Sequence, residues 1–173
     1  EIKNYVSDHL YNPFKKDEYC FLCVTERDGY LRIFNGRFFV CIGLEKGDFI
    51  LDTDDMCYQD FDMVKDIRDH KETILSMYFK EEQKKENALK TVQEYIQNQL
   101  YNPYNYEISV WYDDEDNTFN ISTDKWSMDY FDPINKRLCF NGDGFNSEEF
   151  DQIMKIRDKG ETILSIYNRE MER

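Results

Sequence analysis

Apolar positions recur three and four residues apart at the start of the chain, where Ile2, Tyr5, Val6 and Leu10 share one helical face. The same spacing returns with Val92, Tyr95, Ile96 and Leu100. Both runs end in Leu-Tyr-Asn-Pro, at Leu10 to Pro13 and Leu100 to Pro103. Proline disfavours helical geometry in the residue before it, so Asn12 and Asn102 read as helix stops that lead into strands. The period then changes to two. Strands are predicted over residues 18–26, 30–34, 37–42 and 48–51, separated by Asp28-Gly29, Asn35-Gly36 and Lys46-Gly47. A second set is predicted over 105–112, 118–122, 125–131 and 136–140. Its alternation puts Tyr106, Ile108, Val110 and Tyr112 on one face, and Trp126, Met128 and Tyr130 on one face of a later strand.

Each set of strands is followed by nearly the same stretch. Residues 61–78, FDMVKDIRDHKETILSMY, return 89 positions later as FDQIMKIRDKGETILSIY over 150–167, with 11 of 18 residues identical. Asn146 stands three residues before Glu149, a capping pair that predicts a helix start near Ser147. Gly160 reads as a terminator, dividing the stretch into helices over 147–158 and 161–167 with a bend between them. Lys71 takes the place of that glycine in the earlier stretch, which leaves open whether its bend is kept or straightened. Ile67, Ile74, Leu75 and Tyr78, matched by Ile156, Ile163, Leu164 and Tyr167, form the inward face. Arg68 and Arg157 lie four residues before Glu72 and Glu161, a spacing suited to an ion pair across the bend, and Thr73 and Thr162 are placed to help cap the next helix.

The expected fold class is therefore α+β, a tandem duplication of an α-ββββ-αα unit in which each lobe is a four-stranded antiparallel meander covered by helices. Neither Gly nor Pro occurs from Glu72 to Leu100, and KEEQKKENALK over 80–90 is made mostly of strong helix formers. One continuous long helix joining the lobes is expected, with a polar break at Glu86-Asn87 as the alternative. The domains are then 1–80, a helical connector over 81–90, and 91–173. A lobe of this size buries a smaller share of its surface than a larger domain, so a shared hydrophobic contact is expected between them.

Composition adds a sign to this picture. The chain has 36 acidic and 22 basic residues, a net charge of −14, with 40% hydrophobic residues, 13 Tyr and 13 Phe. That is a folded acidic protein and not a disordered acidic tail. Residues 1–80 hold 16 acids and 11 bases, and 81–173 hold 20 and 11. Such a field repels phosphate backbones and attracts basic protein surfaces, which argues against direct nucleic-acid binding. Of five cysteines, Cys20 and Cys23 form a CxxC inside the apolar run YCFLCV. Residues three apart in a strand point to opposite faces, so the pair reads as buried free thiols, and reduced cysteines favour a cytoplasmic setting. No apolar run is long enough to span a membrane, and none is expected as a partner.

Candidate chemistry is sparse. The two histidines, His9 and His70, sit in no motif, and no nucleophile elbow, zinc-protease signature or glycine-rich phosphate loop occurs. The acidic turns Asp52, Asp54 and Asp55, and Asp113, Asp114, Glu115 and Asp116, lack the alternating ligands, central glycine and distal glutamate of a calcium loop. Asn141-Gly142-Asp143-Gly144 resembles only half of one. No catalytic residue, metal or cofactor is expected, and the chain reads as non-enzymatic.

The leading expectation is an acidic binding protein that occludes a basic surface of a nucleic-acid-handling protein, a polyanion or DNA-mimic inhibitor presenting those seven acidic residues. Its composition is shared with small phage-type inhibitors and immunity proteins, without a motif that names a family. The alternative is a structural or adaptor module that links proteins or forms a homo-oligomer through Tyr11, Tyr101, Tyr104 and Trp111. A third reading is a metal-dependent enzyme that uses the acidic loops.

Overall fold

The computed structural model describes residues 1–13, 22–52, 56–142 and 144–173. It is an α+β chain that divides into two compact units, Glu1–Glu82 and Gln83–Arg173. Unit one contains α1 (Ile2–His9), β1 (Cys23–Arg27), β2 (Tyr30–Phe34), β3 (Phe39–Gly43), β4 (Phe49–Asp52) and α2 (Tyr58–Asp69). Helix α3 (Lys71–Gln99) begins in unit one and ends in unit two. Unit two continues with β5 (Ser109–Asp113), β6 (Thr118–Ser122), β7 (Trp126–Asp132), β8 (Arg137–Gly142), α4 (Ser147–Asp158) and α5 (Gly160–Met171). Each unit holds one antiparallel sheet in simple meander order, β1-β2-β3-β4 and β5-β6-β7-β8.

In unit one, Leu31, Ile33, Val40 and Ile42 point to the inner face, and Ile2 and Val6 of α1, Met63 and Ile67 of α2, and Ile74 and Leu75 of α3 close over them. The β1–β2 turn is the two-residue hairpin that its Asp-Gly pair predicts, with φ 55° at Asp28 and 77° at Gly29. The Asn35-Gly36 signal behaves differently. Phe34 pairs with Phe39, so four residues form the turn, and the buried Asn35 accepts hydrogen bonds at Oδ1 from the Arg37 and Phe38 amides at 3.1 and 3.2 Å. Those amides are taken from the ladder, and β3 starts at Phe39 rather than at Arg37. Residues 18–21, including Cys20, lie outside the described residues, while Cys23 is half-buried and free.

In unit two, β5 begins at Ser109, four residues later than the alternation suggests. Asn102 accepts from the Tyr106 amide at 3.0 Å and donates to its carbonyl at 2.9 Å, and Gln97 Oε1 accepts from the Ile108 amide at 3.0 Å. These side chains saturate the backbone that would otherwise pair in a sheet. Asn102 thus does more than stop a helix. Tyr130 is also not where period two puts it. A bulge between Asp129 and Asp132 gives Tyr130 φ 54° and 61% exposure, and Phe131 becomes fully buried in its place.

Both bends are present. Ile67 and Ile74 in unit one, and Ile156 and Ile163 in unit two, are fully buried on either side of them. Gly160 is not the left-handed terminator expected from its position. It is the first residue of α5 and is buried. A Cβ there would lie 2.6 Å from the Pro133 carbonyl oxygen and 2.9 Å from Phe131 Cζ. Lys71 holds the corresponding place in unit one, donating from Nζ to the Gly47 carbonyl at 2.6 Å. The arginines bond their sequence neighbours and not the glutamates four residues on. Arg68 reaches Asp69 and Arg157 reaches Asp158, each at 2.9 Å. Such exposed pairs contribute roughly 0–1 kcal/mol.

Because the Gly160 contact is with backbone that cannot retract, Gly160→Ala is expected to lower unfolding free energy by about 1–3 kcal/mol in urea titration. Lys71→Ala removes only a polar tether, and is expected to cost less than about 1.5 kcal/mol.

Candidate functional site

The β5–β6 connection carries the acidic run. Asp113 caps its own turn, with Oδ1 accepting from the Glu115 and Asp116 amides at 2.9 and 3.3 Å. Asp114 is exposed and also held within the unit. It accepts from Lys85 Nζ at 2.5 Å and from the Tyr167 hydroxyl at 3.4 Å, so it ties the hairpin to α3 and α5. The Tyr112 and Tyr167 rings meet at a tilt of 43° with centroids 4.3 Å apart. Burial raises the pKa of Tyr112, helped by the nearby charges of Asp114 and Asp113. Glu115 and Asp116 remain exposed, without an ion pair among the described residues.

The aromatic candidates divide in the same way. Trp111 is 53% exposed and lies on the outer face of β5, two residues before Asp113 and therefore on the same face. Its cross-strand partner is Asn120, whose side-chain oxygen accepts from the Tyr130 amide at 3.0 Å. Tyr130 was not a sequence candidate, and only the bulge reveals it. Tyr104 is held in a local network, donating to Glu148 at 2.5 Å and accepting from Asn146 Nδ2 at 3.0 Å. Tyr11 and Tyr101 are 44% and 43% exposed beyond the ends of α1 and α3, and the Tyr11 amide donates to Asp66 at 2.7 Å. Asp52 closes β4, exposed and opposite Phe39. Asp54 and Asp55 lie outside the described residues.

The α4 N-terminus has the tightest polar geometry of unit two. Asn146 Oδ1 accepts from the Glu148 and Glu149 amides at 3.0 Å, and Glu149 Oε2 accepts from the Asn146 amide at 2.8 Å, a complete capping box. The other Glu149 oxygen accepts from the Tyr106 hydroxyl at 2.7 Å. That bond, with burial and the carboxylate charge behind it, pushes the Tyr106 phenol up to about 12. It also holds the Glu149 carboxyl below its ordinary range, together with the Asn146 amide. This is a cap reinforced from the LYNPYNY segment. Its carboxylate is engaged at both oxygens, which leaves it poorly suited to proton transfer.

Among the described residues no three His, Cys, Asp or Glu side chains are grouped to hold a metal ion. His9 stacks on Tyr5 with centroids 5.4 Å apart, and His70 Nδ1 lies 2.9 Å from the Asp66 carbonyl, so both take part in local helix contacts. No described helix is long and apolar enough to cross a membrane. Compared with protein-family models, curated proteins and solved structures, the chain matches none.

The Tyr106–Glu149 bond makes stability pH-dependent at both ends. Glu149 has a folded pKa below 4.5, so its contribution is complete above that value and is lost as pH falls through the folded value. Tyr106 has a folded value of about 12 against 10.0, so its contribution is complete below pH 10.0 and is lost as pH rises towards 12. Tyr106→Phe is expected to remove the alkaline step and return the Glu149 carboxyl towards its ordinary range. Thermal melts across pH and carboxyl carbon NMR check this, and an unmoved Glu149 titration would contradict it.

Proposed function

We propose that the protein is a non-enzymatic acidic binding protein that docks on a basic surface of a nucleic-acid-handling protein and occludes it as a polyanion mimic. The observation that carries this reading is the outer end of β5, where the exposed indole of Trp111 shares a face with Asp113 at the root of a tip bearing Glu115 and Asp116. A guanidinium can lie over an indole face while its charge is met by neighbouring carboxylates, an arrangement suited to arginine-rich surfaces. Net charge of −14 supports it by steering basic partners inwards and phosphate away. Asp52, exposed at the end of β4 in unit one, is counted with these acids in the reading, as are Asp54 and Asp55 by sequence. The reading takes the chain as a tandem duplication of one α-ββββ-αα unit whose copies are joined through α3. The repeated 18-residue stretch and the recurrence of helix, four strands and bent helix pair support this.

The second reading, an adaptor docking through aromatics, is favoured by the exposure of Trp111, Tyr101 and Tyr11. One experiment separates the two. Full-length protein is titrated against heparin-retained nucleases and polymerases at low and high salt, with Trp111 fluorescence as the reporter, because Trp126 is 2% exposed. The mimic is expected to bind at low salt, to weaken steeply with added salt, and to lose roughly tenfold in association rate in the Glu115→Lys/Asp116→Lys variant. No binding at low salt, or binding indifferent to salt, refutes it. Binding that survives charge reversal but is abolished by Trp111→Ala selects the adaptor.

A further inference from the structure

Among the described residues strand β8 is an edge, with β7 as its only neighbour in the sheet. Its free side opens on a groove of about 390 Å³ lying between this strand and α4. Leu138 and Phe140 line it from β8, and Phe150, Ile153 and Met154 line it from α4. Phe150, in the first turn of α4, is 48% exposed, whereas Ile153 and Ile156 of the same helix are buried. At one end stand Lys136, Arg137 and Arg157. Lys136 and Arg137 are exposed and form no salt bridge among the described residues, Arg137 lying opposite Asp132 in the ladder, whereas Arg157 shares its guanidinium with Asp158. In a chain of net charge −14 three cations thus gather at one groove end, with Asp132 and Asp158 the carboxylates beside them.

The corresponding edge of unit one shows that these features are not simply what the fold requires. There Phe61 is exposed at 59% in the place of Phe150, but Asp48 stands where Arg137 does and Lys65 where Met154 does. Unit one also has cations at this end, with Lys71 Nζ bonded to the Gly47 carbonyl, but Lys65 interrupts the apolar floor that Met154 continues in unit two.

We propose that the β8 edge binds an extended, acidic-apolar peptide segment of another protein by strand addition. The unpaired amides and carbonyls of β8 supply main-chain hydrogen bonds, and every second side chain of the added strand enters the groove over Phe140 and Phe150. Carboxylates at the end nearest the start of β8 meet Lys136 and Arg137. Apolar residues at every second position, with carboxylates at the end that reaches Lys136 and Arg137, are the pattern that this geometry selects, because an added strand turns successive side chains to opposite faces. The proposal rests on a different edge of the sheet from the acidic tip, and neither depends on the other.

The test uses the full chain and a set of end-blocked octapeptides that alternate Asp or Glu with Phe, Val or Ile. Matched peptides carry Lys in place of the acids, or N-methyl groups on alternate amides. The acidic peptides are expected to bind, with amide shifts and slowed hydrogen exchange concentrated at Arg137–Gly142. N-methylation of the pairing edge and the Lys136→Glu/Arg137→Glu variant are each expected to weaken binding roughly tenfold or more. The Glu115→Lys/Asp116→Lys variant should bind the peptides as the parent does, with circular dichroism confirming that each variant is folded. The proposal is overturned if none of the acidic peptides binds, if the Lys peptides bind as well, if N-methylation has no effect, or if sedimentation shows the edge covered by a second copy of the chain.

Discussion

A four-stranded meander has one apolar face and cannot leave it wet, so whatever covers that face dictates the geometry of everything attached to it. In unit two Phe119, Ile121, Met128 and Phe131 lie fully buried with Ile156 and Ile163, one isoleucine on each side of the α4–α5 bend. Unit one has Ile33, Val40 and Ile42 with Ile67 and Ile74. Each such side chain contributes about 1.5–3 kcal/mol when withdrawn from water, far more than any surface ion pair in the molecule. The bend lets two helices cover one twisted sheet. In unit two its closeness is set by Gly160 against Pro133 and Phe131, a contact with no room for a methyl group.

Much of this was legible from the sequence because the signals are local. The Asp28-Gly29 hairpin, the Asn146 and Glu149 cap and the inward isoleucines each depend on residues a few positions apart. The misreadings share a different cause. Asn35 and Asn102 look like turn residues, yet their side chains bond backbone that would otherwise enter a strand, which shortens β3 and β5. Tyr130 breaks the alternation because a bulge inserts an extra residue. Gly160 reads as a helix stop, and only the passage of Pro133 beside it, 27 positions earlier in the chain, shows why no side chain fits. In each case a long-range contact or a side-chain to backbone bond overrides the local rule.

The chain's acidity is legible in composition, and the bonds its acidic residues make are not. Four consecutive acids look equivalent in a sequence, but Lys85 and Tyr167 claim Asp114, and Asp113 spends itself on its turn. That leaves Glu115 and Asp116 as the charges at the tip able to meet a partner without first breaking a bond. The cationic groove was invisible for the opposite reason. A net charge averages over the chain, and three cations brought together by β8 and α4 disappear within it.

The two ends of the unit-two sheet can therefore carry opposite electrostatic roles without cancelling. Strands β5 and β8 are the two edges of one meander, separated by three inter-strand steps. At about 4.8 Å per step that is roughly 14 Å, beyond the Debye length of about 8 Å at physiological ionic strength. At that ionic strength the β5 tip presents chiefly Asp113, Glu115 and Asp116, and the β8 edge chiefly Lys136 and Arg137. At low salt the screening length grows past the width of the sheet, and the summed charge of −14 governs approach to both edges. The field of the whole molecule thus acts on whatever approaches either edge, and the buried contacts beneath the sheet determine which few charges each edge presents.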